Sequence, residues 1–582
     1  MPQSKQQNST TKKLQLILCW HMHQPDYREY LHGEYMLPWT YLHAMKDYTD
    51  MAFHLERHPG AKAVVNFVPI LVEQLHDYAE QFQSGEVRDA LLRMLHYERL
   101  DELGDDARQH ILNSCFKSNH TKMLQPYRAY QHLFDLQRKV EGHGRENVTY
   151  LSGQYLADLL VWYHLVWMGE SMRRSSELVA RLMTKGSQFT YDERKELFDL
   201  IGTTIVGIVP RYRKLAERGQ IEISTTPYNH PILPLLLDFA IAHESEPNVP
   251  LPQSAQYPGG LARAHAHLSK AVENHKQNFG VTPNGMWPSE GGVSRATLKL
   301  LAEHGCEWTA TGQAVLANSL RREMNDNPLP GSSGYLYKPY LVETGGKPIY
   351  CFFRDDSLSD KIGFEYAKWK GDDAAADFVH HLEEILHHSP GEDDPVVTVI
   401  LDGENAWEYY PYNGYYFLDE LYAKLESHPD IHTTTFHECV RHLSEPRARV
   451  TASKLQQMVA GSWVYGTFST WIGSYDKNRG WDLLCEAKRS YDIVMASGRL
   501  NAEEMGLATE QLADCEGSDW FWWFGDYNSA MSVASFDNLF RQNLSNLYRL
   551  IKLTPPQELL HVISIGTGAP AMGGTMRRSD AH

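Results

Sequence analysis

The chain is poor in most features that would assign it at a glance. Seven cysteines are scattered over 582 residues, an odd number never spaced as CxxC. That pattern excludes a disulfide framework and a cysteine-built zinc site. No run approaches the roughly 18 uninterrupted apolar residues of a membrane-spanning helix. Positive charge is in deficit, with 55 Lys and Arg against 73 Asp and Glu and a net charge of −18. That balance lacks the basic footprint of a nucleic-acid binder. There is no internal repeat, no low-complexity block in the body and no HExxH motif. The opening MPQSKQQNSTTKK is polar, and the short apolar stretch at 14–20 gives way at once to histidines. A secretory signal needs a longer core in an earlier place. The expectation is a cytoplasmic protein with no membrane or nucleic-acid partner.

What the chain does have is apolar mass and amphipathic rings. Hydrophobic residues make up 42%, enough for a large core, and 32 Tyr and 14 Trp outnumber 20 Phe. Tyr and Trp join a flat apolar face to a polar handle, which suits surfaces that grip something partly polar. The length calls for several domains or one large barrel with insertions.

Short β-rich runs recur at 14–20 (LQLILCW), 63–68 (AVVNFV), 221–225 (IEIST), 284–287 (NGMW), 307–310 (EWTA), 348–353 (PIYCFF) and 396–401 (VVTVIL). Helical patterns lie between them, as at 261–279 and 294–304, where Ser294 can cap and Gly305 can stop the helix. Strands alternating with helices predict a parallel β/α architecture, and closure into a barrel is favoured over an open sheet. A stretch of about 87–215 has helical pattern but no strand pattern and reads as a helical insertion in a catalytic barrel spanning 14–446. From 447 to 562 the pattern is again helical and predicts a C-terminal domain that completes a cleft. Residues 1–13 and 563–582 read as disordered ends.

In a β/α barrel, chemistry gathers at the C-terminal ends of the strands. There the sequence places His21-Met22-His23, Asn66, the run Thr226 to Pro231, Trp287-Pro288-Ser289-Glu290, Arg354-Asp355-Asp356 and Asp402-Gly403-Glu404-Asn405. His21 and His23 are two apart on an extended segment and point to one side. They suit hydrogen bonds to a polyol, or a metal if His230, Asp355 or Asp356 supplies a further ligand. Glu290 and Asp402 end different strands, and two carboxyls facing across a cleft are the minimal machinery of glycosidic cleavage. Each has a plain alternative, as a loop glutamate at a helix start or an ordinary Asp-Gly turn. Trp463 and Trp471 in GSWVYGTFSTWIG, and the rings of SDWFWWFGD, either stack on sugars or form a core.

HMHQP, GQIEISTTPYNHPILP, MWPSEGGVS, LDGENAW and GSWVYGTFSTWIG, in that order, resemble the five sequence regions of glycoside hydrolase family 57. SDWFWWFGD is similar to the C-terminal part of its amylopullulanase- and α-amylase-like branch. The resemblance implies a seven-stranded (β/α)7 barrel with a helical domain, and a retaining enzyme acting on α-glucans without a cofactor or metal. It implies Glu290 as nucleophile and Asp402 as general acid/base. It places His21, His23, Glu222 and Trp287 around the attacked glucose, with Arg354, Asp355, Trp407, Trp463 and Trp471 as further substrate contacts. Gly312-Gln313 departs from the acidic residue of many relatives. The rival activities are 4-α-glucan transfer or branching on the same site. A metal-dependent carbohydrate deacetylase and a non-enzymatic glucan-binding protein are more remote.

Overall fold

The computed structural model describes residues 12–29, 33–141, 149–325, 327–329, 331–446 and 448–568. Seven parallel strands form its centre: β1 (Leu14–Met22), β2 (Ala63–Phe67), β3 (Ile221–Thr225), β4 (Gly285–Met286), β5 (Trp308–Gly312), β6 (Ile349–Arg354) and β7 (Val396–Asp402). They pair in the order β7-β1-β2-β3-β4-β5-β6, and the sheet closes where Arg354 of β6 meets Thr398 of β7. This is the (β/α)7 barrel expected from the sequence. The fourth strand is shorter than its apolar run, although Trp287 N–H still donates to Thr225 O at 3.2 Å.

Period-two alternation explains why these runs are apolar on both faces. In β1, Leu14, Leu16, Leu18, Trp20 and Met22 pack against the surrounding helices. Ile17 and Cys19 fill the barrel beside Val64, Trp308, Phe352 and Ile400. The next inward positions up are His21, Asn66, Ser224 and Asp402, and the register aligns His21 with both Asn66 and Asp402. The barrel is therefore greasy below and polar at its C-terminal mouth.

An eighth parallel segment, Ile431–Thr434, was not expected. It wedges against the lower half of β1, below the point where β2 takes over the pairing. Phe436, just beyond it, plugs the lower mouth between Trp308 (4.1 Å) and Phe352 (4.9 Å).

The described part of 87–215 is helical, ending in the long helix Tyr191–Glu217 that leads into β3. Beyond the barrel lie the helices Tyr475–Ala496, Ala502–Cys515, Asp519–Trp523 and Ala530–Leu550. Buried Glu516, at the end of Ala502–Cys515, accepts from Arg263 through both oxygens and bonds to His267 (2.7 Å) and Tyr257 (2.6 Å). Arg263 and His267 belong to the barrel helix Gly260–Phe279, so this lock docks the C-terminal helices on the barrel.

Parts of both ends read as disordered are held in place. Lys13 N–H donates to Asp394 (2.9 Å), and the amides of Ile563 and Ser564 donate to Asp537. The remainder, 1–11 and 569–582, lies outside the described residues. All seven cysteines are buried and unpaired. Among the described residues no helix is long and apolar enough to cross a membrane.

Candidate active site

Glu290 sits in the turn after β4 with φ +57°, a left-handed conformation that costs a non-glycine residue about 1–2 kcal/mol. The turn is held by Trp463, whose backbone N–H donates to Glu290 O and whose indole Nε1–H donates to Glu290 Oε2, both at 3.1 Å. Ser518 Oγ donates to Oε1 at 3.2 Å. Trp463 comes from the 460s loop and Ser518 from the C-terminal helices, so the carboxyl is gripped from outside the barrel. Burial lifts Glu290 to about 8, helped by the charges of Asp519 and Asp402.

Asp402 ends β7, and Asn405 Nδ2 donates to its Oδ2 at 2.9 Å. Burial raises it to about 6, against the Asn405 hydrogen bond and the nearby charges of His23 and Arg354. Gly403 has a packing reason beyond an Asp-Gly turn. A Cβ there would lie 2.1 Å from Met22 Sδ, and its N–H donates to His21 O at 2.7 Å. The glycine draws β7 against β1 and so fixes Asp402 opposite His21.

Three imidazoles line the same mouth. His21 Nδ1 lies 2.6 Å from Asn66 Oδ1, which also accepts from Thr226 Oγ1, while Asn66 Nδ2 donates to Ser224 Oγ. Asn66 therefore fixes His21 with Nδ1 protonated and Nε2 as an acceptor. Burial and the His23 charge lower its pKa to about 3, so the ring is neutral. His23 Nε2 sits 2.9 Å from Asp519 Oδ1, and its ring stacks on His230 at 3.9 Å. His230 has φ +58°, bonds Ser518 Oγ through Nδ1 (2.8 Å) and keeps Nε2 buried without a partner.

His23, His230 and Asp519 bring three ligating atoms within 4.8 Å of one another. An ion must lie close to the plane of each imidazole that binds it. The two rings are stacked only 22° from parallel, so their planes meet far from both nitrogens. As arranged, the cluster is a hydrogen-bonding wall and does not fit a metal.

The other sequence candidates divide. Trp287 is fully buried against Trp463 (5.3 Å), under Glu290. Arg354 lies 5.5 Å from the Trp463 ring and donates to Ile400 O, Asp356 and Asp360. Glu222 is one layer below His21. It accepts from Trp308 Nε1 (2.8 Å) and the His437 amide (2.9 Å) inside the barrel, and burial raises it to about 7. Asp355 turns the other way and caps the helix Asp356–Asp360 through Leu358 N, with Tyr337 OH donating to it. Trp407 is buried behind β7 between Trp20 and Tyr410 and donates to Gly403 O. Trp471 is wholly buried near Trp522 (5.9 Å). The structure does not bring Glu222, Asp355, Trp407 or Trp471 to the two carboxyls.

It adds Ser518, Asp519 and His230. His230 stood in the sequence only as a possible metal ligand, and Asp519 as a neighbour of the tryptophan run. The departure at Gly312 also has a cause. A Cβ there would lie 2.7 Å from Trp463 Cα, so the backbone of the 460s loop occupies the place of a side chain.

Comparison with solved structures shows the same fold in several proteins. A GH57 branching enzyme from Thermococcus kodakaraensis is 15% identical, with a TM-score of 0.55 over 92% of this chain and 90% of that one. A GH57-type branching enzyme from Pyrococcus horikoshii is 15% identical, with a TM-score of 0.54 over 95% and 98%. An α-amylase from Thermotoga maritima is 14% identical, with a TM-score of 0.54 over 93% of each chain. No curated protein sequence matches. The sequence model described as glycosyl hydrolase family 57 matches residues 17–453, from within β1 to beyond β7. With all of the barrel but the first residues of β1 inside that match, the chain belongs to glycosyl hydrolase family 57.

Proposed function

We propose that the protein is a retaining α-glucan hydrolase of the α-amylase type, with starch, glycogen or maltooligosaccharides as substrate. Glu290 attacks the anomeric carbon as Asp402 gives its proton to the departing glycosidic oxygen. The C–O bond to the leaving chain breaks and an ester to Glu290 forms. Asp402, now a carboxylate, takes a proton from water, whose oxygen displaces Glu290 and restores the starting anomeric configuration.

The observation that carries this reading is the unequal setting of the two carboxyls. Both oxygens of Glu290 accept hydrogen bonds, which favours an ionised nucleophile. Asp402 has one oxygen on Asn405 and the other without a hydrogen-bond partner among the described residues, as a proton donor to an incoming oxygen requires. His21 and His23, with Asp519, supply polar edges for sugar hydroxyls, and Trp463 supplies a ring face.

One observation favours the reverse roles. Burial raises Glu290 to about 8 and Asp402 only to about 6, so Glu290 is the readier of the two to hold a proton. The proposed roles reverse that order once a sugar fills the site, with Glu290 ionised and Asp402 protonated. Trapping with a fluorinated glucosyl fluoride, followed by peptide mapping, decides the matter. Label on Glu290 is the expected result, and label on Asp402 would reverse the assignment.

The activity test is the product profile on maltoheptaose, with Glu290→Gln as control. Products no longer than the substrate, and at least about a 10³-fold loss in the variant, are expected. A ladder growing above the starting length would make the enzyme a 4-α-glucanotransferase. That second reading rests on the family resemblance, and branching is the activity named for two of the structural relatives.

A further inference from the structure

Tyr412 and Tyr416 are 57% and 48% exposed, and Trp369, on the segment that packs on Tyr416 through Gly371, is 44% exposed. They meet on the outer rim of the barrel's C-terminal face, where the segment leaving Asp402 turns into the helix Tyr415–Ser427. The Tyr412 and Tyr416 rings are 5.6 Å apart, edge to face. Gly371, two residues after Trp369, approaches so closely that a Cβ there would lie 2.9 Å from Tyr416 Cβ.

The exposure is built from beneath. Tyr412 and Asn413 both take the left-handed conformation, φ +54° and +53°, which side-chain-bearing residues avoid. Asn413 is held there from both ends, donating to Asp50 (2.9 Å) and accepting from Lys46 Nζ (3.0 Å). The same buried Asp50 accepts the amides of Glu170 (2.7 Å) and Ser171 (3.0 Å). That bond places the helix Glu170–Ser175, whose Arg174 lies 4.4 Å and 5.0 Å from the Tyr415 and Tyr416 rings and donates to Tyr416 OH. One interior carboxylate thus fixes two elements so that tyrosine faces point outward. An ordinary turn at this place would bury its aromatic side chain or use a glycine.

We propose that Tyr412, Tyr416 and Trp369 form a second, non-catalytic binding platform for α-glucan chains, an inference that rests on the α-glucan reading above. Arg174 is already paired with Glu170 at 2.9 Å, so the platform offers ring faces and hydroxyls rather than unspent charge. That is the chemistry of a neutral polyol with apolar ring faces and not of an anion. Ten residues connect Asp402 to Tyr412 and can span at most about 35 Å. A long glucan threaded through the cleft can cover a separation of that size.

The test is affinity electrophoresis of the full chain in gels with and without glycogen, together with kcat/KM on glycogen and on maltoheptaose. For Tyr412→Ala/Tyr416→Ala we expect glycogen retardation to fall about tenfold in apparent affinity, the worth of two aromatic contacts. The glycogen-to-maltoheptaose ratio of kcat/KM should fall with it. Tyr412→Phe/Tyr416→Phe, which keeps the rings, should retain most of the retardation, and Trp369→Ala provides an independent variant. Glu290→Gln should be retarded like the unaltered protein. Undiminished retardation in both alanine variants would overturn the platform while leaving the α-glucan reading intact. An unaltered protein that is neither retarded by glycogen nor active on either substrate would overturn both.

Discussion

Glu290 is held in a costly backbone conformation, nearly out of water, with two other carboxyls close enough to raise its pKa. A group placed this way is stable only because its surroundings leave it no alternative, and such arrangements concentrate where chemistry is done. Asp519 makes the coupling measurable, since its charge raises both Glu290 and Asp402. Neutralising it in Asp519→Asn should lower both pKa values and move the kcat/KM profile toward acid. An unmoved or alkaline profile would mean that Asp519 is electrically silent at the site. The residue scale also shows the limit of reading sites from strand ends. Glu222 and Ser224 share an inward face, but Glu222 lies a layer too deep. Asp355 follows inward Arg354 and by alternation turns away. Residue type and proximity to a strand end were legible in the sequence, whereas depth and facing depend on where each strand begins pairing.

Single elements carry the next level of control. The helix end at Glu516 is tied to Arg263, His267 and Tyr257, two residues before Ser518 reaches Glu290. The Arg263 charge and the His267 bond hold the Glu516 carboxyl at about 2 although burial opposes it. The folded value lies below the unfolded one of about 4.3, so this group contributes stability above that pH and loses it as pH falls toward 2. Glu516→Gln, which leaves a buried guanidinium without its charge partner, should cost about 3–5 kcal/mol at neutral pH. Urea midpoints should show that gap narrowing at pH 3, and a gap independent of pH would rule out the ion pair as its source. Barrel strands such as Ala63–Phe67 and Val396–Asp402 were readable because they are rich in β-branched residues buried on both faces, and the helix Arg295–Glu303 because Ser294 caps it as its position suggests. The wedge at Ile431–Thr434 was not readable, since four residues of mixed polarity carry no periodic signal. Nor was the reach of Ser518 and Asp519 into the barrel mouth, because nothing local links SDWFWWFGD to a strand end more than two hundred residues away.

At the scale of the whole molecule, the site is shared between barrel and C-terminal region: Glu290 and Asp402 come from one, Trp463, Ser518 and Asp519 from the other. A chain ended after residue 446 keeps both carboxyls but loses the donors on Glu290. Its turnover of maltoheptaose should fall by at least about 10³-fold. Turnover within tenfold of the full chain, with the helical circular dichroism signal preserved, would confine the working site to the barrel. The closure of the barrel has a further consequence, for synthesis rather than catalysis. Of the seven barrel strands β1 is the first made, and its partner β7 is the last. The hydrogen bond from His23 N–H to Glu404 joins residues 381 positions apart. At about 5–20 residues per second, a ribosome needs roughly 20–80 s to bridge that interval. For that time one edge of β1 hangs open on the nascent chain, an invitation to mispairing that chaperones or the early helices must cover. Ser518 and Asp519 emerge later still, so the hydrogen bonds that hold Glu290 and His23 close only after every barrel strand has been made.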